Sequence, residues 1–192
     1  MTSSRPEPAP SMQDDARWDP QMRAIQAGLE SGSVLTVMPK LCAPFDVPRA
    51  AYERARLAQI DRGGPPHIAA RDLQVPVNGG MVSARLYQGE PSRAAATLVY
   101  FHGGGWVWGS VSTHDRLCRE YAAQAGIAVL SVDYALAPEH RFPCAVREGA
   151  DICQWMRSDD GIALLPSGRL LLGGDSAGAH VAFGVYLAAK DR

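Results

Sequence analysis

The sequence has no strong charge of either sign and no long apolar run. Its 19 basic and 20 acidic residues give a formal net charge of -1, and no basic cluster stands out. This balance excludes a nucleic-acid or acidic-membrane partner held by charge. The apolar runs, such as Gly126–Val132, are too short to cross a bilayer. Residues 1–15 lack the apolar segment of a signal peptide, so we expect a cytoplasmic protein without a membrane span.

Cysteine is also scarce, and its spacing carries no metal signature. The four cysteines form no CxxC pair and have no histidine partner at a ligand spacing. We therefore expect reduced thiols, no metal and no cofactor. The cysteines are Cys42, Cys118, Cys144 and Cys153.

The length and the 46% hydrophobic content suit one globular domain with a substantial core. Proline and serine in residues 1–17 predict a disordered tail. Residues 18–62 show helical periodicity, including a segment from Pro48 to Ile60, and predict a helical cap. The pattern changes at residue 63, so residues 63–192 are expected to form a separate α/β part.

The α/β part begins with a hairpin pattern. Ile68–Val77 and Met81–Tyr87 alternate in polarity around Asn78-Gly79-Gly80. Short, nearly continuous apolar runs follow, which are typical of parallel strands covered on both faces. These runs are Ala95–Phe101, Ile127–Val132 and Leu170–Leu172.

Amphipathic segments lie between the runs, at His114–Ala125 and Ala145–Arg157. Alternating strands and helices after a hairpin predict an α/β fold with a mostly parallel sheet and helices on both faces. In such sheets the chemistry collects where the strands end.

Gly174-Asp175-Ser176-Ala177-Gly178 fits the pattern G-x-S-x-G between a predicted strand and an apolar helix. A sharp strand-to-helix turn places the serine in strained backbone angles and exposes its hydroxyl. Glycines on either side let the strand and the helix approach closely. The N-terminus of the helix also directs N–H groups towards an oxyanion formed beside Ser176.

A second motif, His102-Gly103-Gly104-Gly105-Trp106, directly follows the run Ala95–Phe101. Glycine N–H groups can approach a substrate carbonyl oxygen without side chains in the way. The alternatives are a generic glycine-rich loop and a phosphate cradle. A cradle would add G-K-[ST] and a helix directly after it, and the sequence shows neither.

Together with Asp133–Pro143, which reads DYALAPEHRFP, these two motifs resemble the hormone-sensitive-lipase-like family of carboxylesterases. The resemblance extends from Ile68 to Lys190, and the family's helical cap matches Trp18–Arg62. It implies an α/β-hydrolase fold and hydrolysis of short to medium acyl esters without a cofactor. Ser176 would be the nucleophile. The oxyanion hole would be formed by the N–H groups of Gly104, Gly105 and Ala177.

The resemblance assigns supporting roles to further residues. Asp175 would orient neighbouring loops by accepting backbone N–H bonds, although it also fits a solvated turn. Glu139 would anchor its loop near the site, and His102 with Gly103 would hold the glycine loop. Trp106 and Trp108 would line the substrate pocket, or belong to the core. Ala135 departs from the family, which usually has arginine there.

The family's acid and histidine lie on loops after two further strands, which would fall beyond residue 192. None of the histidines in the sequence is assigned as the base. His180 is expected to pack, and His67 and His114 to lie on the surface. The alternatives to an esterase are an inactive fragment and a small-molecule-binding protein on the same fold. The edge beside Leu170–Leu172 would favour self-association, so a homo-oligomer is possible.

Overall fold

The computed structural model describes residues 20, 23–24, 27, 40–59, 64–89, 96–165 and 169–190. The chain divides into two compact units, residues 1–38 and 39–192. The described residues of the first unit are helical. The predicted disordered tail, residues 1–17, lies outside the described residues, as does most of the first half of the predicted cap. The remaining description concerns the second unit.

The predicted hairpin is present. Strand β1 (Ala69–Val77) pairs antiparallel with β2 (Gly80–Gln88) in continuous register from Ala69↔Gln88 to Val77↔Gly80. The two strands are joined by Asn78-Gly79, where Gly79 has a positive φ of 102°. Such a two-residue turn matches the twist of a hairpin.

The three apolar runs form parallel strands, as predicted. They are β3 (Thr97–Phe101), β4 (Ala128–Val132) and β5 (Leu170–Gly174). The strand order is β1-β2-β4-β3-β5, with β4, β3 and β5 parallel and β2 antiparallel to β4. Phe101 at the end of β3 is level with Val132 on one side and Gly174 on the other. The loops that follow these strands therefore begin at the same edge of the sheet.

The helices follow the predicted segments to within two residues at most ends. They are α1 (Asp46–Gln59), α2 (Asp115–Ala125, after a 3-10 turn at Ser112–His114), α3 (Cys144–Trp155), α4 (Asp159–Leu164) and α5 (Ala177–Lys190). The six-residue α4 was not predicted, because so short a helix shows no periodicity. Its N-cap is Ser158, whose hydroxyl accepts the N–H of Gly161. No helix in the described ranges has the length and apolarity to cross a membrane.

The core lies on both faces of the sheet because side chains alternate along each strand. Val99 and Phe101 belong to the larger cluster, which includes residues of α3 and α5. Tyr100, between them, joins the smaller cluster with Cys118 and Ala122 of α2. Burial on both faces is typical of a parallel sheet. The predicted α/β architecture, with helices on both faces, is confirmed.

Candidate active site

Ser176 lies in the sharp turn between β5 and α5. Its φ is 51°, a left-handed value that non-glycine residues seldom adopt, and the residue is exposed. A Cβ on Gly174 would lie 2.3 Å from the carbonyl oxygen of Phe101, and one on Gly178 would lie 1.9 Å from it. Side chains at these two positions would therefore push the turn away from the end of β3. The close approach inferred from the motif is present.

The glycine-rich segment after β3 folds into a tight turn, which we call the glycine turn (Gly104–Trp108). The carbonyl oxygen of Gly104 accepts the N–H groups of Val107 at 3.2 Å and Trp108 at 2.9 Å. Gly104 has a φ of 130°, and a Cβ there would lie 2.0 Å from the carbonyl oxygen of Trp108. The N–H groups of Gly104 and Gly105 donate no hydrogen bond to any residue that the structure describes. They are available to an external oxygen atom.

Asp175 connects the serine turn to the glycine-rich segment. Its Oδ1 accepts the N–H of Gly103 at 2.8 Å and the hydroxyl of Tyr100 at 2.5 Å. The Nε2 atom of His114 lies 3.5 Å from the same oxygen. Burial alone would raise the pKa of Asp175, but the Tyr100 bond, His114 and the Gly103 N–H hold it below its ordinary value. An ionised Asp175 thus orients the neighbouring loop through a backbone N–H.

His102 lies beneath the glycine turn and is fully buried. Its ring lies between those of His114 and Tyr134, with centroid distances of 5.5 and 4.4 Å. The Nδ1 atom of His102 lies 2.9 Å from the carbonyl oxygen of Gly103. The Tyr134 hydroxyl donates to the backbone carbonyl oxygen of His102 at 2.6 Å. Burial lowers the pKa of His102 to about 4, so the ring is neutral. His102 supports the loop from within the core.

The positions of the histidines differ from the sequence-based expectation. His114 is not a surface residue, since its side chain is only 15% exposed. The expectation failed because the sequence does not show that His114 faces the two strand-end motifs. His180 was expected to pack away from the pocket, but it is exposed, and its ring stacks on Trp106 with 5.7 Å between centroids. Within the described part of the chain, no histidine ring is hydrogen-bonded to the Ser176 hydroxyl.

A cavity of about 460 Å³ lies beside the glycine turn. Gly105, Trp106 and His180 line it, together with apolar side chains from α3 and α5. Trp108 does not line this cavity. It is 6% exposed and packs against Tyr52 of α1, with 5.4 Å between ring centroids. Of the two tryptophans assigned to the substrate pocket, Trp106 is thus next to the cavity and Trp108 belongs to the interior.

Glu139 pairs with a residue that the sequence analysis missed. Its carboxylate forms a bidentate ion pair with Arg49 of α1, with 2.7 Å between Nη2 and Oε2. The two residues are 90 positions apart. The only sequence signal for this contact is the helical spacing shared by Arg49, Tyr52 and Glu53. That spacing does not identify Glu139 as the partner of Arg49.

Comparison with known proteins agrees with this geometry. Residues 98–192 match a family described as having the alpha/beta hydrolase fold. The chain is 41% identical over 144 residues to the carboxylic ester hydrolase LipN of Mycobacterium tuberculosis (strain ATCC 25618 / H37Rv), which is 74% of this chain and 38% of LipN.

Two solved structures share the backbone arrangement. The esterase of Pyrobaculum calidifontis is 38% identical with a TM-score of 0.69, and the match covers 77% of this chain and 48% of that one. The ester hydrolase EH1AB1 from the metagenome of Lake Arreo is 30% identical with a TM-score of 0.74, over 90% and 55% of the two chains. The chain spans about half the length of these structures.

The chain therefore belongs to the α/β-hydrolase fold. Within that fold it is similar to carboxylic ester hydrolases and esterases, over about half of their length or less.

The buried histidines predict how stability depends on pH. Burial lowers the pKa values of His102 and His114. In the unfolded chain a histidine has its ordinary pKa of about 6.5. Below that pH the unfolded chain binds more protons than the folded chain, so acid favours unfolding. The contribution of His102 to the free energy of unfolding is complete above about pH 6.5 and is lost as the pH falls towards about 4.

Urea unfolding between about pH 7.5 and about pH 4.5 measures this loss. The slope against pH should be smaller in His102→Gln than in the wild type, and unchanged in the variant of an exposed histidine, His67→Gln. Where His102→Gln does not fold, His114→Gln tests the same contribution. Equal slopes in all variants would contradict the assignment of neutral, buried rings.

Proposed function

We propose that this chain supplies the nucleophile and the oxyanion hole of a serine carboxylesterase for small-molecule esters with short to medium acyl groups. The observation that carries the proposal is the placement of Ser176. It is exposed at a strained turn, and that turn is joined through Asp175 to the segment with the unbonded N–H groups of Gly104 and Gly105. A nucleophile beside free backbone donors is what acyl transfer requires.

In the proposed reaction, the Ser176 Oγ attacks the ester carbonyl carbon and the carbonyl oxygen becomes an oxyanion. The N–H groups of Gly104 and Gly105 donate to that oxygen. So does the N–H of Ala177, which as the first residue of α5 has no partner within its helix. The alcohol then leaves, and water hydrolyses the acyl-enzyme. A base must take the Ser176 proton, and the resemblance assigns this role to a histidine that follows α5. The reaction needs no metal or cofactor.

The size and lining of the cavity beside Gly105 support the proposed acyl range. Its volume of about 460 Å³ lies within the range of small-molecule pockets. The walls are mainly apolar, with Phe142 and Val181 beside Trp106. An apolar chain of a few carbons would be buried there.

A second candidate, a small-molecule-binding protein, is favoured by one observation. In the described ranges no histidine is hydrogen-bonded to the Ser176 hydroxyl, and an unassisted hydroxyl is a weak nucleophile. Such a protein would bind the ester in the same cavity without turnover. Quenching of Trp106 fluorescence by a non-hydrolysable ether analogue, without hydrolysis of the matching ester, would favour this candidate.

Location and assembly are also part of the proposal. The four cysteines are free thiols, which supports a cytoplasmic protein. Among the described strands, β5 pairs with β3 alone, and its Leu171 is 45% exposed. Where no further strand covers it, an apolar sheet edge of this kind would favour a homo-oligomer.

Replacement of Ser176 by alanine tests the nucleophile. In the protein as its gene encodes it, we expect Ser176→Ala to lower kcat for p-nitrophenyl butyrate on the order of 10⁶-fold and to abolish the acyl-enzyme burst. Ser83→Ala, at an exposed serine of the hairpin, should retain wild-type activity. Activity above about one percent in Ser176→Ala would rule out Ser176 as the nucleophile.

The two glycines of the proposed oxyanion hole allow a graded test. Gly104→Ala places a Cβ 2.0 Å from the Trp108 carbonyl oxygen, so it must displace the turn and should lower kcat by about 10²-fold or more. A Cβ on Gly105 meets nothing within 4 Å, and only its φ of 61° opposes a side chain, so Gly105→Ala should lose less.

Gly80→Ala, at an open position of the hairpin, is the matched control and should behave as wild type. Circular dichroism and thermal unfolding report the folded fraction of each variant. If Gly104→Ala lost activity only in proportion to its folded fraction, the turn would be structural and the oxyanion assignment wrong.

A further inference from the structure

Helix α1 presents one face to the glycine turn. Arg49, Tyr52 and Glu53 are spaced three and four residues apart, which places them on the same side of a helix. The Tyr52 ring packs on Trp108, and the Glu53 carboxylate accepts the hydroxyl of Ser110 at 2.7 Å. The helix thus contacts the glycine turn and the residues directly after it.

Arg49 makes the most specific of these contacts. Its Nε donates to the carbonyl oxygen of Val107 at 2.9 Å, and its Nη2 donates to the carbonyl oxygen of Ala137 at 2.6 Å. Glu139 accepts from both terminal nitrogens of the guanidinium. One planar group therefore joins the loop after β3 to the loop after β4, which are also linked by the Ala137 N–H and the Trp106 carbonyl oxygen at 2.9 Å.

The contact with Val107 reaches the proposed oxyanion hole through two peptide groups. A peptide group is planar, so the Val107 carbonyl that Arg49 holds fixes the direction of the Trp108 N–H. That N–H donates to the carbonyl oxygen of Gly104. The Gly104 carbonyl shares its own peptide plane with the N–H of Gly105. Fixing the guanidinium therefore fixes the direction in which the Gly105 N–H points.

The ion pair itself adds little to the stability of the fold. The side chains of Arg49 and Glu139 are 21% and 36% exposed, and exposed ion pairs contribute little. The Arg49 hydrogen bonds lower the pKa of Glu139 to about 2, so the carboxylate stays ionised at neutral pH. A bidentate carboxylate also adds geometric specificity, because it fixes the plane of the guanidinium. Such an ion pair is expected where an arginine orients a loop.

We propose that Arg49, braced by Glu139, is a positioning residue for the oxyanion hole and sets the direction of the Gly105 N–H through the peptide groups of Val107 and Gly104. The inference rests on the proposed function of the glycine turn. It couples the first described long helix to the chemistry at the strand ends, which neither motif predicts.

The test compares Arg49→Ala with Arg54→Ala, an exposed arginine of the same helix, in the protein as its gene encodes it. For p-nitrophenyl butyrate, Arg49→Ala should lower kcat about tenfold with KM changed less than about twofold, because a shifted donor affects the transition state more than binding. Guanidinium ion at about 20 mM, far below denaturing concentrations, should restore part of the lost kcat. Arg49→Lys, which keeps the charge but cannot reach both carbonyls and the carboxylate, should stay impaired.

Hydrogen exchange provides a readout that needs no hydrolysis. The Val107 and Trp108 amides are protected by the Gly104 carbonyl, and in Arg49→Ala their exchange should accelerate at least about tenfold. Glu139→Gln should also accelerate the exchange of these two amides, by a smaller factor. If Arg49→Ala does not fold, Glu139→Gln is measured in its place. Arg54→Ala should match the wild type throughout.

The outcomes separate this inference from the proposed function. If exchange at Val107 and Trp108 is faster in Arg49→Ala but the protein has no esterase activity, the positioning role is supported and the proposed esterase function is contradicted. Wild-type exchange at these amides in Arg49→Ala, or an equal kcat loss in Arg54→Ala, would overturn the positioning role.

Discussion

The site depends on the pairing of β5 with β3. This parallel pairing sets Gly174 level with Phe101, and the carbonyl oxygen of Phe101 then lies where a Cβ on Gly174 or Gly178 would have to be. Only glycines allow this contact. Because of it, the serine turn and the glycine-rich segment begin side by side at one edge of the sheet. Without the contact, two short loops more than 70 residues apart would have no reason to share a site.

Polar contacts orient the serine turn and the glycine-rich segment, which the backbone contact brings together. Asp175 accepts a backbone N–H of the glycine-rich segment, and Arg49 donates to a backbone carbonyl of the glycine turn. Each interaction acts on the main chain, where a hydrogen bond sets the direction of the next peptide group. The N–H groups of Gly104 and Gly105 are left unbonded among the described residues while their neighbours are fixed. Preorganised donors of this kind stabilise developing charge without reorganising during the reaction.

Much of this arrangement could be predicted from the sequence, because its signals are local. Alternating polarity around Asn78-Gly79 predicts the hairpin, and apolar runs predict β3, β4 and β5. The strained serine between two glycines is recognisable because sterics restrict which residues fit such a turn. These features need only neighbouring residues to be understood.

The features that the sequence did not predict depend on long-range packing. Arg49 and Glu139 are both common surface residue types, and nothing in either segment identifies the other as its partner. His114 was assigned to the surface because its contacts with Asp175 and His102 appear only when α2 packs on the sheet. Trp106 and Trp108 are two residues apart, yet one lies next to the cavity and the other is buried, and their spacing does not reveal which.

The central claim is that Ser176 and the N–H groups of Gly104 and Gly105 act on one substrate carbonyl. The most direct measurement is a crystal structure of the protein, as its gene encodes it, after reaction with a p-nitrophenyl alkylphosphonate, whose phosphoryl oxygen mimics the oxyanion. The account predicts phosphorus bonded to the Ser176 Oγ and the phosphoryl oxygen about 2.7–3.1 Å from the nitrogens of Gly104 and Gly105. A phosphonate on another residue, or a phosphoryl oxygen directed away from the glycine turn, would contradict it.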